Sequence, residues 1–403
     1  MPPFHPFPGI RYAPGFDLGD VTAPPYDVID PDDRTALVAR SARNAVLFDL
    51  PLEADGVDRY TAAAATFDGW RSEGTLVTDE QPSFTVYRMT FVDGQGRKAR
   101  TLGVIGALTL STPDEGQILP HEHTTPKAKT DRLDLLRATC TDLSPVWMLS
   151  LASGLTGLLE PRGAPDAEWT DDDGVAHAVW RLDDPDRVAA ISAAVGSEPV
   201  VVADGHHRYE TSLVHRDERR AAAGPDAELG SDAVMALVVE LTDDELCVRP
   251  IHRLVDGLPA SELLVALGKA SFDILEPPVP ADEVADGRIL ALMEEAASIA
   301  LVRPDGTATL LSPRREAFPD IAPLDSARVA HALGKVAGTS LRNQHDVVLV
   351  QRALADGGAE AGLLLRPASV AQIDANAHAG ERMPPKTTFF HPKPRTGAVF
   401  RAC

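Results

Sequence analysis

Chemistry-bearing side chains are densest in two stretches of this 403-residue chain, LPHEHTTPKAKTDRLDLLR at 119–137 and VVVADGHHRYETS at 200–212. In the first, Glu122 sits between His121 and His123, with Lys127, Lys129 and Arg132 shortly after. A glutamate so placed can accept the proton of an alcohol, provided that it reaches the hydroxyl within hydrogen-bond distance. The two imidazoles also fit a metal pair, although alternate side chains of an extended segment face opposite ways. A solvated loop accounts for the same composition.

In the second stretch, an apolar run ends in an acid, a glycine, two histidines and an arginine, which reads as a buried strand feeding a helix. Asp204 or Gly205 is then the N-cap, and the amides that follow lack intrahelical partners. Such donors, at the positive end of the helix dipole, attract anions. Gly205 lets a ligand approach without a Cβ in the way, Arg208 adds a forked, permanently charged group suited to a phosphate, and His206 and His207 supply further donors. Two occupants compete for the amides. If the Asp204 carboxylate caps the helix, none are left for a phosphate; if it points away, it is free to hold Mg²⁺ or orient a substrate, as phosphoryl transfer requires.

Other candidates lie nearer the ends. Tyr26 and Asp27 follow a Pro-Pro pair whose stiff backbone suits either a structural turn or a pocket edge. Asn44 fits a cap or a ligand contact. Lys386, in PPKTTFFHPK, fits a surface salt bridge or a contact to a phosphate or carboxylate. Trp70, Trp147 and Trp180 fall on helix or strand patterns and read as core.

The elements that position these groups follow from periodicity. Within 57–76, the spacing of Tyr60, Ala64, Phe67 and Trp70 predicts a helix that ends at Gly74. The runs 84–92 and 99–110, joined by DGQGR, predict a hairpin, and the GVIG inside it reads as a closely packed strand rather than a dinucleotide fingerprint. A helix is expected from about Asp131, strands at 144–151, 175–182 and 232–241, and a loop at 153–175. Asp184 with Pro185 opens a helix over 184–196. Further helices are expected at 259–270, 281–297 and 324–337, with a hairpin at 298–312. Because helices and strands alternate only in places and hairpins intervene, the fold class expected is α+β, with mixed sheets and packed helices.

Composition restricts the partners. Lys and Arg number 38 against 60 Asp and Glu, a formal charge of −22, which repels phosphate backbones and anionic membranes. No basic recognition helix is evident, so a nucleic-acid partner is not expected. No window of roughly 18 apolar residues and no leader pattern is seen, so no membrane segment is expected. Cys140, Cys247 and Cys403 are too widely spaced for a disulfide framework or a CxxC motif, which points to a cytoplasmic location.

Four motifs in order extend the reading: Pro24-Pro25-Tyr26-Asp27-Val28, His121-Glu122-His123-Thr124 with Lys129 through Arg137, Ala203 through Glu210, and Met383 through Phe390 with Pro392-Lys393. On these the chain resembles the prokaryotic family known as domain of unknown function 1015, itself similar to the archaeal free serine kinase and, more remotely, to the ParB and sulfiredoxin superfamily. The resemblance implies a ParB/sulfiredoxin-like catalytic core at 116–220, between an N-terminal α/β segment at 1–115 and a C-terminal α+β segment at 221–403 that closes the site. It implies a phosphotransferase that moves a phosphoryl group from ATP or ADP, with Mg²⁺, to a small metabolite, free L-serine first. Glu122 would be the base, with Asp204 beside the metal or substrate. Gly205, His206, His207 and Arg208, with Lys129 and Arg132, would bind the phosphates. His121, His123, Tyr26, Asp27 and Lys386 would contact the substrate. The alternative is a nucleotide-dependent ParB-like regulatory or DNA-binding module; a metal-dependent hydrolase built on the histidines is a third reading. Sulfiredoxin chemistry is not expected, since His206 stands where a cysteine would be needed.

Overall fold

The computed structural model describes residues 1–53, 56–94, 96–122, 129–224 and 227–403. Two compact units emerge, one of Met1–Cys247 with Pro392–Cys403 and one of Val248–His391. The fold is α+β with mixed sheets.

The first unit is built on a nine-stranded sheet. Its strands are β1 (Phe4–His5), β2 (Phe84–Val92), β3 (Lys98–Thr109), β4 (Ile118–Pro120), β5 (Val146–Ser150), β6 (Ala167–Thr170), β7 (Ala176–Leu182), β8 (Val200–Asp204) and β9 (Ala233–Glu240). The order is β4-β8-β5-β9-β3-β2-β7-β6, with β1 also paired to β3. Pairing is parallel for β4 with β8 and for β5 with β9, and antiparallel elsewhere. Val200, Val201 and Val202 are all essentially inaccessible, which is why β8, paired on both sides by β4 and β5, reads as an unbroken apolar run rather than an alternation. The expected hairpin is β2 and β3, in register from Thr85↔Ile105 to Val92↔Lys98. Its GVIG glycines serve packing, because a Cβ at Gly106 would collide with the ring of Phe4.

Helices of this unit include α1 (Arg59–Ser72), α2 (Lys129–Thr139), α3 (Pro185–Val195) and α4 (His206–Ala223). Local chemistry sets their starts: Asp58 caps α1 through the amides of Tyr60 and Thr61, and Asp184 accepts from the Arg187 amide with Pro185 in the first position of α3. These donors would otherwise lack partners. α2 packs against both α1 and α4. An aromatic cluster joins the start of the chain to its end, with Phe400 within 5.4 Å of Phe48 and 5.5 Å of Phe67, ring centre to ring centre.

Two stretches depart from the sequence pattern. The expected loop at 153–175 contains a short helix, Leu155–Leu159, and strand β6. β6 has little periodicity of its own and is held by its antiparallel neighbour β7. The helix expected over 281–297 is two, Ala281–Ala285 and Arg288–Glu295, divided at Gly287 with φ +81°.

The second unit carries a six-stranded antiparallel sheet in the order Phe272–Val279, Ala308–Pro313, Ile299–Val302, Ala361–Leu364, His252–Asp256, Ser340–Gln344. Among the described residues of the whole chain, no helix is long and apolar enough to cross a membrane.

Candidate functional site

The two chemistry-bearing stretches meet because of one strand register. β4 and β8 run parallel with Val202 opposite Pro120, so His121-Glu122, which follow β4, and Asp204-Gly205, at the end of β8, emerge at the same end of the sheet. The His121 Nδ1 is hydrogen-bonded to the Val202 carbonyl, a bond that ties the two strand ends together.

At the β8 to α4 junction Gly205 is the N-cap, in the left-handed region (φ +89°, ψ 28°), and no side chain caps the helix. Asp204 has turned away from the helix. One carboxylate oxygen accepts from Arg208 Nη2 at 3.0 Å and the other from Lys393 Nζ at 2.6 Å. Burial alone would raise this carboxyl, but the charges of Lys393 and Arg208 outweigh it and hold the group at about 2. Lys393 also lies 3.3 Å from Asp27. The ammonium is buried, which disfavours its charge, yet Asp204 and Asp27 keep its pKa above the ordinary value.

Arg208 has a different surrounding from the one its sequence position suggests. Its Nη1 donates to Ser144 Oγ at 2.9 Å and to the Pro145 carbonyl at 2.6 Å. The guanidinium lies against Gly205, where a Cβ would fall 2.8 to 3.0 Å from Nη2, Nε and Cζ. Gly205 is therefore required by its positive φ and by Arg208, and the close approach inferred for a ligand is made here by a side chain of the protein.

Glu122 joins this junction through the histidines. Its carboxylate is 3.4 Å from His121 Nε2, and the His121 and His206 rings lie 4.9 Å apart. Burial, reinforced by His121, lowers His206 to about 4 against the opposing pull of Glu122, Asp204 and Glu210. Its Nε2 is buried without a hydrogen-bond partner among the described residues. His206 is thus neutral at pH 7 and can donate from only one ring nitrogen.

A second group lies beside the first. Arg132 is buried, its Nη1 bonded to the Asp49 carbonyl at 2.8 Å and its guanidinium carbon 4.1 Å from the centre of the Tyr26 ring. Burial raises Asp49, with Arg132 and Arg208 pulling the other way. The Tyr26 phenol is likewise raised by burial and lowered in part by the same two arginines. A small cavity of about 50 Å³ is lined by Asp49, Arg132, Ser144 and Arg208 among others.

His207 occupies the first turn of α4, where its carbonyl accepts from Thr211 Oγ1. Lys129 opens α2, its side chain lying outside the described part of the structure, as does all of His123. Lys386 belongs to the second unit, with φ +59° and its carbonyl bonded to Arg253. Asn44 is wholly buried and ties the backbone at Asp20, Thr22 and Val46, a structural clamp. Lys393 was not singled out from sequence. Its signal was a second lysine in the same terminal motif, held between Pro392 and Pro394.

The donors present do not make a magnesium site at Asp204. Both its oxygens are engaged by cations, so a metal ion would have to displace Lys393 or Arg208. Among the described residues no group of three or more acidic, histidine or cysteine side chains could hold a metal.

Comparison with solved structures finds similarity to a free serine kinase in complex with AMP, at 13% identity over 74% of this chain and 91% of that one, TM-score 0.39. It also finds a conserved hypothetical protein from Pyrococcus furiosus, at 11% identity over 74% and 93%, TM-score 0.37. A third is SbnI with C-terminal truncation from Staphylococcus aureus, at 13% over 72% and 85%, TM-score 0.37. No curated protein matches the chain. A family model described as "Protein of unknown function (DUF1015)" matches residues 4–333, and the chain belongs to that family.

Proposed function

We propose that this protein is a phosphotransferase moving a phosphoryl group from ATP or ADP to the hydroxyl of a small metabolite, with free L-serine the first acceptor to test. The observation that carries the reading is the convergence of an uncapped helix start at Gly205, two flanking cations, and Glu122 at the same sheet edge. Amides without partners at a helix N-terminus donate to phosphate oxygens. In the reaction, the acceptor hydroxyl oxygen bonds to the terminal phosphorus as the bond from phosphorus to the nucleotide's bridging oxygen breaks. Glu122 takes the hydroxyl proton, and the charge spreading over the phosphoryl oxygens is met by the amides of the turn and the cations beside it. Tyr26, Asp27 and Arg132 border the acceptor side.

The test is incubation with ATP or ADP, Mg²⁺ and a panel of hydroxylated amino acids, with mass-spectrometric detection of a phosphorylated product. Glu122→Gln removes the base and keeps the shape. It is expected to cut turnover by about 10²-fold or more, the range of general-base contributions, while nucleotide affinity stays within about twofold. No product with either nucleotide across the panel would remove the reading.

A further inference from the structure

We infer that Lys393 is the cation that meets an anionic ligand at the Gly205 turn, that Asp204 positions it, and that Arg208 is a brace rather than the ligand contact. The identity of the anion as a nucleotide phosphate rests on the phosphoryl-transfer reading; the anion site does not.

The two cations differ in how they are held. Arg208 makes three donor contacts, to Ser144, Pro145 and Asp204, with its guanidinium plane against Gly205. Releasing it would leave buried acceptors behind and unsettle the glycine that shapes the turn, and an unsatisfied buried group is costly. Lys393 is a point charge at the end of a flexible stem, which can pivot between acceptors. It lies between a short contact to Asp204 and a long one of 3.3 Å to Asp27, whose side chain is 42% exposed. An anion arriving at the turn can replace the exposed Asp27 contact and leave the Asp204 tether in place.

The segment that delivers Lys393 is built for fixed placement. Thr396 exchanges backbone hydrogen bonds with Ala23 at 3.0 and 2.9 Å, and its hydroxyl is 3.1 Å from Asp49 Oδ2. The Arg395 amide donates to the Tyr87 hydroxyl at 3.2 Å. That phenol is joined to His177, and His177 to Asp171, in a buried chain of contacts at 2.8 and 3.0 Å. A group reacting with a bulk anion needs no such support. One that meets a phosphate at a defined point does, because misplacement erodes both binding and rate.

Calorimetric titration of the full chain with inorganic pyrophosphate and with ADP tests the assignment, using wild type, Lys393→Ala, Lys393→Arg and the paired neutral exchange Asp204→Asn with Lys393→Met. The expected result is at least tenfold weaker pyrophosphate binding by Lys393→Ala, partial recovery by Lys393→Arg, and loss in the paired variant equal to that of Lys393→Ala. The paired variant removes the ammonium and its carboxylate partner together and keeps an amide beside Arg208, and so serves where Lys393→Ala does not fold; melting curves identify folded samples. Wild-type affinity in either folded lysine-removal variant, or no pyrophosphate binding by wild type, overturns the inference. Pyrophosphate binding through Lys393 together with no phosphorylated product from any acceptor overturns the phosphoryl-transfer reading and leaves the anion site standing.

Discussion

Burial beside His121 brings the His206 imidazole down to about 4 from an ordinary value near 6.5, and that difference links the site to fold stability. Between these values the unfolded chain binds a proton at this position and the folded chain does not, so stability falls as pH drops from about 6.5 to 4 and is fully present above that window. At roughly 1.4 kcal/mol per unit the contribution is up to about 3 kcal/mol. Asp204 acts lower. Its carboxyl is depressed to about 2, so the stability it contributes is present above about 3.8 and lost only as pH falls toward 2. His252 in the second unit has the same depression as His206, from burial and the neighbouring Arg253, so the wild-type slope alone does not separate them. The difference between wild type and His206→Gln does. Urea unfolding of both proteins at several pH values should show the wild type losing stability relative to the variant between pH 6.5 and 4, by an amount on the order of 2–3 kcal/mol. Parallel curves through that window would remove His206 as the source.

At the level of the element, two helices that start alike isolate what Gly205 does. Gly205 before α4 and Gly287 before Arg288–Glu295 are both N-caps in the left-handed region, at φ +89° and +81°. A Cβ at Gly287 meets nothing within 4 Å, whereas at Gly205 it meets the Arg208 guanidinium. Gly287→Ala should cost about 1–2 kcal/mol, the ordinary strain of an L-residue in that region. Gly205→Ala should cost that plus the displacement of Arg208 from Ser144 and Pro145, about 2–3 kcal/mol more, and should abolish anion binding at the turn. Thermal melts of both variants with pyrophosphate titration decide it; equal costs would mean that the guanidinium relocates freely. Much of this junction was legible in the sequence. Four apolar residues ending at Asp204-Gly205 forecast β8 and the start of α4, and Asp184-Pro185 marked α3 to the residue, because caps and glycines act locally. Three features were not legible. The parallel register of β4 with β8, which brings Glu122 to the turn, is a long-range pairing between short strands. The engagement of Arg208 depends on Ser144 and Pro145, more than sixty residues away. Lys393 reaches Asp204 across 189 positions of sequence, and nothing in the composition of either segment announces the other.

Across the whole molecule, an acid surplus of 22 charges sets a repulsive average field for any phosphate, so capture depends on local cations held by the fold. The fold holds them partly from its far end. Residues 392–403 belong to the first unit, where Phe400 is wholly buried among Tyr12, Phe48 and Phe67 and its backbone exchanges hydrogen bonds with Ile10 at 2.8 and 2.9 Å. Phe48 precedes Asp49, the acceptor of both Arg132 and Thr396, so a void under Phe400 should reach the site through one residue of chain. Phe400→Ala is expected to cost about 3–5 kcal/mol, as deletion of a buried ring does, and to lower the melting transition of the first unit by on the order of 10 °C. Amide exchange should rise at Ile10, Asp49 and Thr396 and stay unchanged in the strands Ile299–Val302 and Ala361–Leu364 of the second unit, whose core is its own. Exchange that rises equally in both units would mean that the chain unfolds as one body, and that the terminal segment secures the whole molecule rather than the site.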